Sequence, residues 1–361
     1  MKTLLAGLAL MFLSGCSSMT TVGYYWQSVS GHMQMLNAAR PVADVLADPQ
    51  TSTAQAARLE LSQRIRRFAV TDLQLPDNAS YTRYADLRRS AVVWNVVAAP
   101  EFSLTLKTWC FSVAGCVGYR GYFNEAEARA EAAQLQAQGL EANVYGVPAY
   151  STLGKLNWLG SLGADPLLSS FINYPEGELA RLIFHELAHQ VVYAADDTMF
   201  NESFATAVEH LGSQRWLSRH ASPAARGAYA AGNQRRQQFQ ALTLATRHDL
   251  TRVYELNTAV ADNNRAQVAA KNIAMQKFKA DYAQLKASWG DTPQSTSGYD
   301  AWVARANNAS FGAQAAYDEL VPGFIALFER EGQDWQRFYD AVRQLAKLPK
   351  NERHQALKTT P

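Results

Sequence analysis

The sequence predicts an α+β fold: a mixed first half with a small β-sheet, then a pair of helices rich in chemistry-bearing side chains, then a mostly helical second half. Three observations predict it. Short β-branched and aromatic runs alternate with helical patterns up to about residue 150. Residues 177–217 hold two amphipathic helical periods joined by a short polar connector, and from about Trp216 the pattern is helical almost to the end.

At the N-terminus, Lys2 precedes an apolar run from Leu4 to Leu13 that is too short to span a bilayer and has the shape of a secretory signal. It ends in Leu13-Ser14-Gly15-Cys16, which resembles the lipobox of bacterial lipoproteins. Cleavage before Cys16 leaves that cysteine as the lipidated first residue, and Ser17 after it resembles the outer-membrane rather than the inner-membrane type. The expectation is a signal peptide over 1–15, a lipidated N-terminus and tether over 16–30, and a body held on the bacterial outer membrane and facing the periplasm. Several acyl chains on one residue anchor stably, at about 0.8 kcal/mol per buried methylene.

An N-terminal α/β part is expected over 31–176. Helical patterns fall near 32–47 and 53–69, and strands near 91–98, 102–111 and 117–123. A helix follows from Asn124 to Gln138, with Asn124 as its cap, Glu127 three residues on, and Gly139 to end it. With Cys16 taken by lipid, Cys110 and Cys116 remain as an even pair around a glycine-containing loop, which predicts a disulfide across a β-hairpin in an oxidising compartment. A further strand over 142–147 runs into Pro148, and a proline there suits the exit of an edge strand.

The pair of helices over 177–217 carries the most specific signal. His185-Glu186-Leu187-Ala188-His189 puts two imidazoles four residues apart on one helix face, where both can ligate one metal ion with Glu186 beside it. Ala180, Ile183, Phe184, Leu187, Val191 and Ala194 cluster on the opposite side, so the core face and the metal face separate. If the first helix ends near Ala194 and Asp196 or Asp197 caps the second, the chain reverses as a helical hairpin and Glu202 arrives level with His189 as third ligand. Asp196, Asp197, Glu209 and His210 are the competing third ligands. Glu202, Thr206, Glu209 and Ser213 share a face of the second helix, which offers Thr206 and Glu209 as groups that orient a ligating imidazole. A third histidine in the extended metzincin spacing is excluded, because those positions hold Val192 and Ala195.

A helical C-terminal part is expected over 218–361, with long segments from 222 to 247 and 251 to 289 and a break at Gly290–Gly298. The formal net charge is +2, or +1 once Lys2 is removed, which gives no footing for nucleic acid or another strongly charged partner. Roughly 345 of the 361 residues remain after signal cleavage, enough for a substantial core. Composition leaves the oligomeric state open.

The blocks His185-Glu186-Leu187-Ala188-His189-Gln190 and Asn201-Glu202-Ser203-Phe204-Ala205 resemble the zinc-binding helices of the glutamate-zincin clan, close to the aminopeptidase N type, with a shorter connector. Gly31-His32-Met33, Tyr150-Ser151-Thr152-Leu153-Gly154 and Leu320-Val321-Pro322 extend a likeness to a bacterial family of aminopeptidase-type lipoproteins. The resemblance implies a zincin-like fold and a peptidase using one Zn2+ on His185, His189 and Glu202, with Glu186 as general base towards zinc-activated water. It also implies a proton donor for the oxyanion from the C-terminal helices, for which Tyr317 is the first candidate and Tyr254 the second. Substrates of such enzymes add a strand to a sheet edge, here the 142–147 run and its exit. Exopeptidase action further needs a carboxylate for the free amine; Glu176 or Glu178 is a candidate, the competing and more ordinary role being a helix-start carboxylate that complements the dipole. Two other readings use the same residues: a zinc hydrolase acting on a cell-wall amide, and an envelope lipoprotein that binds metal without catalysis.

Overall fold

A computed structural model describes residues 22–111, 115–154, 160, 162–255, 263–290 and 293–358, without the side chains of 263–264, 293–295 and 315–318. Cys16 and the rest of the expected signal and lipobox lie outside the described residues.

The elements run in order from helix α1 (22–38) through β1 (Arg40–Pro41), α2 (Val42–Ala47), α3 (Thr53–Thr71) and β2 (Arg83–Ala85) to β3 (Val93–Pro100). Then come β4 (Trp109–Phe111), β5 (Gly115–Val117), β6 (Arg120–Tyr122), α4 (Glu125–Ala137), β7 (Leu140–Val147) and β8 (Leu167–Leu168). The rest is helical: α5 (Glu176–Ala188), α6 (Thr198–His220), α7 (Pro223–Glu255), α8 (Asn263–Trp289), α9 (Pro293–Ala304), α10 (Asn308–Asp318), α11 (Val321–Arg330), α12 (Trp335–Lys347) and α13 (Lys350–Lys358). The fold is α+β with small sheets, as expected.

The central sheet has the order β6-β3-β7, antiparallel throughout, with Asn95 opposite Gly121 on one side and Tyr145 on the other. Strand alternation sends Val96 and Ala98 to one face, where they pack on Ala128, Ala132 and Leu135 of α4. Val97 and Ala99 face the other way onto Ala309 of α10. Asn124 caps α4 by accepting from the amides of Ala126 and Glu127, and Gly139, at φ 82°, turns the chain into β7. A second sheet, β1-β2-β8, joins the N-terminal segment to the chain just before α5. Cys110 and Cys116 face each other across the β4–β5 pair and are joined by a disulfide.

Several local expectations shift. The strand expected over 102–111 shrinks to β4, since 103–108 takes no regular structure. The first helix spans 22–38 rather than 32–47, so part of the expected tether is helical, and the chain breaks into β1 before α2. The first long C-terminal helix continues to Glu255, and the break after α8 is brief: Gly290 takes φ 62° and α9 starts at Pro293.

The main core lies under the helical pair. Phe184, Phe200, Phe204, Phe324 and Phe338, each 0 % exposed, knit α5 and α6 to α11 and α12, with Ile65 and Phe68 from α3 beneath. A smaller aromatic cluster of Phe239, Phe278, Tyr282 and Phe311 holds α7, α8 and α10 together. The helices that carry the histidines and Glu202 are thus braced from several sides.

Candidate metal centre

Helix α5 opens on Glu176 and Glu178, acidic residues that suit a helix N-terminus. It buries Leu179, Ala180, Ile183, Phe184, Leu187 and Ala188, which turns Arg181, His185 and His189 outward at four-residue spacing. It ends at Ala188 with His189 as its C-cap, earlier than the end near Ala194 that the sequence suggests. The reason is Asn201: its amide donates to the carbonyl of Ala194 and its oxygen accepts from the Ala194 amide, each at 2.8 Å. This two-way clasp holds the connector open in place of another helical turn. Asp197 caps α6 by accepting from Phe200 N, and Arg353 and His354 of α13 hold its carboxylate. Along α6, Phe204 and Val208 point into the core while Glu202 and Glu209 face α5.

Three ligand atoms meet between the helices. His185 Nε2 lies 3.1 Å from His189 Nε2 and 3.3 Å from Glu202 Oε2, and His189 Nε2 lies 3.6 Å from that same oxygen. Ligands at about 2.0–2.1 Å from a tetrahedral zinc stand roughly 3.3 Å apart, so the triangle fits such an ion. The other nitrogen of His185 donates to Glu209 Oε2 at 3.0 Å, and Glu209 Oε1 accepts from Arg181 Nε at 2.6 Å. Arg181 also pairs with Glu178, which pairs in turn with Arg236 of α7. The Nδ1 of His189 is buried with no partner among the described residues.

The charges suit a cation. Burial opposes ionisation of Glu202 and Glu209, but the imidazoles, and Arg181 for Glu209, outweigh it: Glu202 is held well below the usual carboxylate range and Glu209 at about 2. Burial likewise opposes the charged form of His185, yet hydrogen bonds to the same two carboxylates push it up to about 10, so an arriving metal ion displaces a proton there. Unlike Glu202 and Glu209, Glu186 is raised, mainly by burial, and eased back by the neighbouring histidines.

These groups lie in a cleft of about 1160 Å³ lined by Glu186, Tyr119, Tyr193, Tyr150 and Arg236 among others. The phenol of Tyr119 is raised by burial and then by the negative charge of Glu202, with Glu186 contributing as well, so it stays protonated. One wall is the exit of β7, Val147 to Ser151. A buried carboxylate, Asp165, fixes that exit by accepting from the Thr152 amide at 3.1 Å, the Ser151 hydroxyl at 3.3 Å and Gln190 Nε2 at 3.4 Å.

Residues 23–357 match a protein family described as "putative aminopeptidase". The chain belongs to that family. Among curated proteins and solved structures, nothing matches it.

Within this aminopeptidase family member, the sequence-selected residues divide clearly. His185, His189, Glu202 and Glu209 meet, and Glu186 and Thr206 share the cleft with them. Among the described residues Thr206 makes no hydrogen bond to either imidazole. The competing ligands are engaged elsewhere: Asp197 at the cap, Asp196 accepting from the Cys116 amide at 2.6 Å, and His210 bonded to Gln214. The side chain of Tyr317 lies outside the described residues. Tyr254 donates to Asn308 at 2.6 Å and does not line the cleft. Glu176 accepts from the Trp216 indole at 3.0 Å, while Glu178 lines the cleft between its two arginines. Sequence reasoning missed Arg181, although its place four residues before His185 puts it on the metal face. It also missed Asn201's clasp, Asp165 and Tyr119; the last two have no local signal, since only tertiary packing brings them near.

Proposed function

We propose that the protein is a zinc-dependent metallopeptidase with aminopeptidase action, lipid-anchored through Cys16 to the outer membrane and facing the periplasm. One observation carries the enzymatic reading: the triangle of His185, His189 and Glu202 at tetrahedral-ligand spacing, beside Glu186 in a roomy cleft. A zinc ion bound there supplies a Lewis acid that polarises the scissile carbonyl and lowers the pKa of a water. Glu186 takes the proton and passes it to the leaving amine, a shuttle favoured by the burial that raises its carboxyl above the usual carboxylate range. Glu209, itself held by Arg181, keeps His185 in the tautomer whose Nε2 is free to ligate. Tyr119 and Tyr193 line the cleft within electrostatic reach of Glu202 and are placed to donate to the oxyanion. The peptide lies along the β7 exit that Asp165 fixes, and its free amine competes with Arg181 and Arg236 for Glu178.

The test is zinc content and peptide cleavage of the full chain, purified in detergent, beside Glu202→Ala and Glu186→Gln. One zinc per chain, lost in the first variant and retained in an inactive second, is expected. Folded protein that takes up no stoichiometric zinc on reconstitution overturns the reading and leaves an envelope lipoprotein without catalysis. Turnover of cell-wall fragments in the absence of peptide cleavage moves it to the amide-hydrolase alternative.

A further inference from the structure

Helix α1 exposes large apolar side chains where a water-facing helix carries polar ones. Val22, Tyr25, Trp26, Val29 and Met33 are 68, 44, 73, 59 and 48 % exposed. At about 100° per residue all five fall within an arc of roughly 100°, the width of one apolar stripe. The other side of the helix is fixed to the body. Tyr24 stacks under the Arg120 guanidinium at 4.1 Å, and Gln27 accepts from the Phe123 amide at 3.0 Å. His32 bonds to Tyr150 at 3.0 Å, and Met35 and Leu36 are buried. The stripe is therefore held out by a rigid mount.

We infer that this stripe seats in the headgroup–acyl boundary of a phospholipid bilayer and so sets how the cleft faces the membrane. Tryptophan and tyrosine favour that boundary, and aliphatic neighbours enter it. The inference rests on the lipid anchor proposed above: Cys16 lies six residues before Val22, so acyl chains there keep the start of α1 within about 20 Å of the bilayer. Residues 22–39 contain no Lys, Arg, Asp or Glu, so the contact depends on apolar insertion and needs no anionic lipid. No helix among the described residues is long and apolar enough to cross a membrane, which fits α1 lying on the surface. Tyr24, Tyr25 and Ser28 also line the cleft, so docking α1 brings the cleft mouth to the lipid surface. Acyl chains alone tether the body without orienting it; the stripe fixes its rotation.

The full lipoprotein, carrying an environment-sensitive fluorophore on Val29→Cys or, as control, on the exposed Gln34→Cys beside the stripe, is reconstituted into zwitterionic phosphatidylcholine vesicles and floated. Intact mass reports the acyl groups on Cys16, and lipids with nitroxides at shallow acyl positions report depth. Expected is at least twofold stronger shallow quenching at position 29 than at 34, unchanged between 0.05 and 0.5 M salt. Acylated, floated protein whose position 29 is no more quenched than position 34 overturns the docking while leaving the anchor standing. An unacylated chain overturns the anchor; the docking then stands only if that chain still floats with position 29 quenched. Position 29 shielded equally in lipid-free detergent, with a cross-link between copies, overturns it in favour of a dimer face.

Discussion

At the scale of single residues, the cleft depends on carboxylates whose environments pull them in opposite directions. Asp165 is 1 % exposed, and burial, with the charge of Glu186 adding to it, pushes its carboxyl up to about 7. In the unfolded chain the group ionises near its ordinary 3.8. Its contribution to stability is therefore fully present below about pH 4 and is lost as pH rises through about 7, a change on the order of 4 kcal/mol. Asp165→Asn removes this titration, so the urea midpoint of the wild type should fall relative to the variant between pH 4.5 and 7.5. Parallel midpoints across that range would contradict the assignment. Glu209 is shifted the opposite way: against its burial, Arg181 and His185 hold it at about 2. Glu209→Gln keeps a hydrogen bond to His185 but drops the charge facing Arg181, and zinc affinity should weaken about 10- to 100-fold by competition against a chelator. The four residues at the centre were legible in the sequence because helical spacing alone aligns His185 with His189 and a short connector brings Glu202 level. Asp165 and Tyr119 were not, because residues 119 and 165 come near α5 and α6 only through the packing of the turn between β5 and β6 and of the segment before β8.

Among the elements, the α5–α6 pair shows what periodicity can and cannot give. Apolar spacing identified both helices and the inward faces of Phe184, Leu187, Phe204 and Val208. It overran the end of α5, because nothing in the pattern reveals that Asn201 offers Ala194 both halves of a hydrogen-bonded clasp. Most of the strand expected over 102–111 failed for a related reason: β character without a partner strand forms no ladder, and between 102 and 108 the chain meets β3 only through isolated backbone bonds, from Ser103 N to the Pro100 carbonyl and from Lys107 N to the Ala98 carbonyl. The closeness of α5 and α6 rests on Gly212. A Cβ there would stand 2.7 Å from Leu73 Cδ1 and 2.9 Å from Phe184 Cδ2. Gly212→Ala gains up to about 1 kcal/mol of helix propensity but overpacks the seam by about 1–3 kcal/mol, so a net loss of stability is expected in urea unfolding. Because the seam also positions Glu202 against His185, zinc affinity should fall with it. A variant as stable as wild type with unchanged affinity would mean that Leu73 and Phe184 yield freely.

For the molecule as a whole, the centre joins two helices through ionisable side chains held side by side. Glu186, Glu202 and Glu209 lie close together with two imidazoles, between helices whose far faces form the main core. Only the folded chain brings His185 and His189 to Glu202, so an ion bound there stabilises the native state by mass action without comparable binding to the unfolded chain. At free zinc 100-fold above the dissociation constant the gain is about 2.7 kcal/mol, and in a chain of this size each kcal/mol moves the melting point by about 2 °C. Zinc should therefore raise the melting temperature of metal-stripped protein by about 5 °C, and excess chelator should return it. Glu202→Ala should abolish most of the shift, whereas Glu186→Gln, which changes no ligand, should keep it. This measurement needs no substrate, so it separates metal binding from catalysis: a shift of equal size in wild type and Glu202→Ala would place the metal elsewhere on the chain. The core formed by Phe184, Phe200, Phe204, Phe324 and Phe338 ties α5 and α6 to α11 and α12, so the shift should appear in the main unfolding transition rather than in an earlier local one.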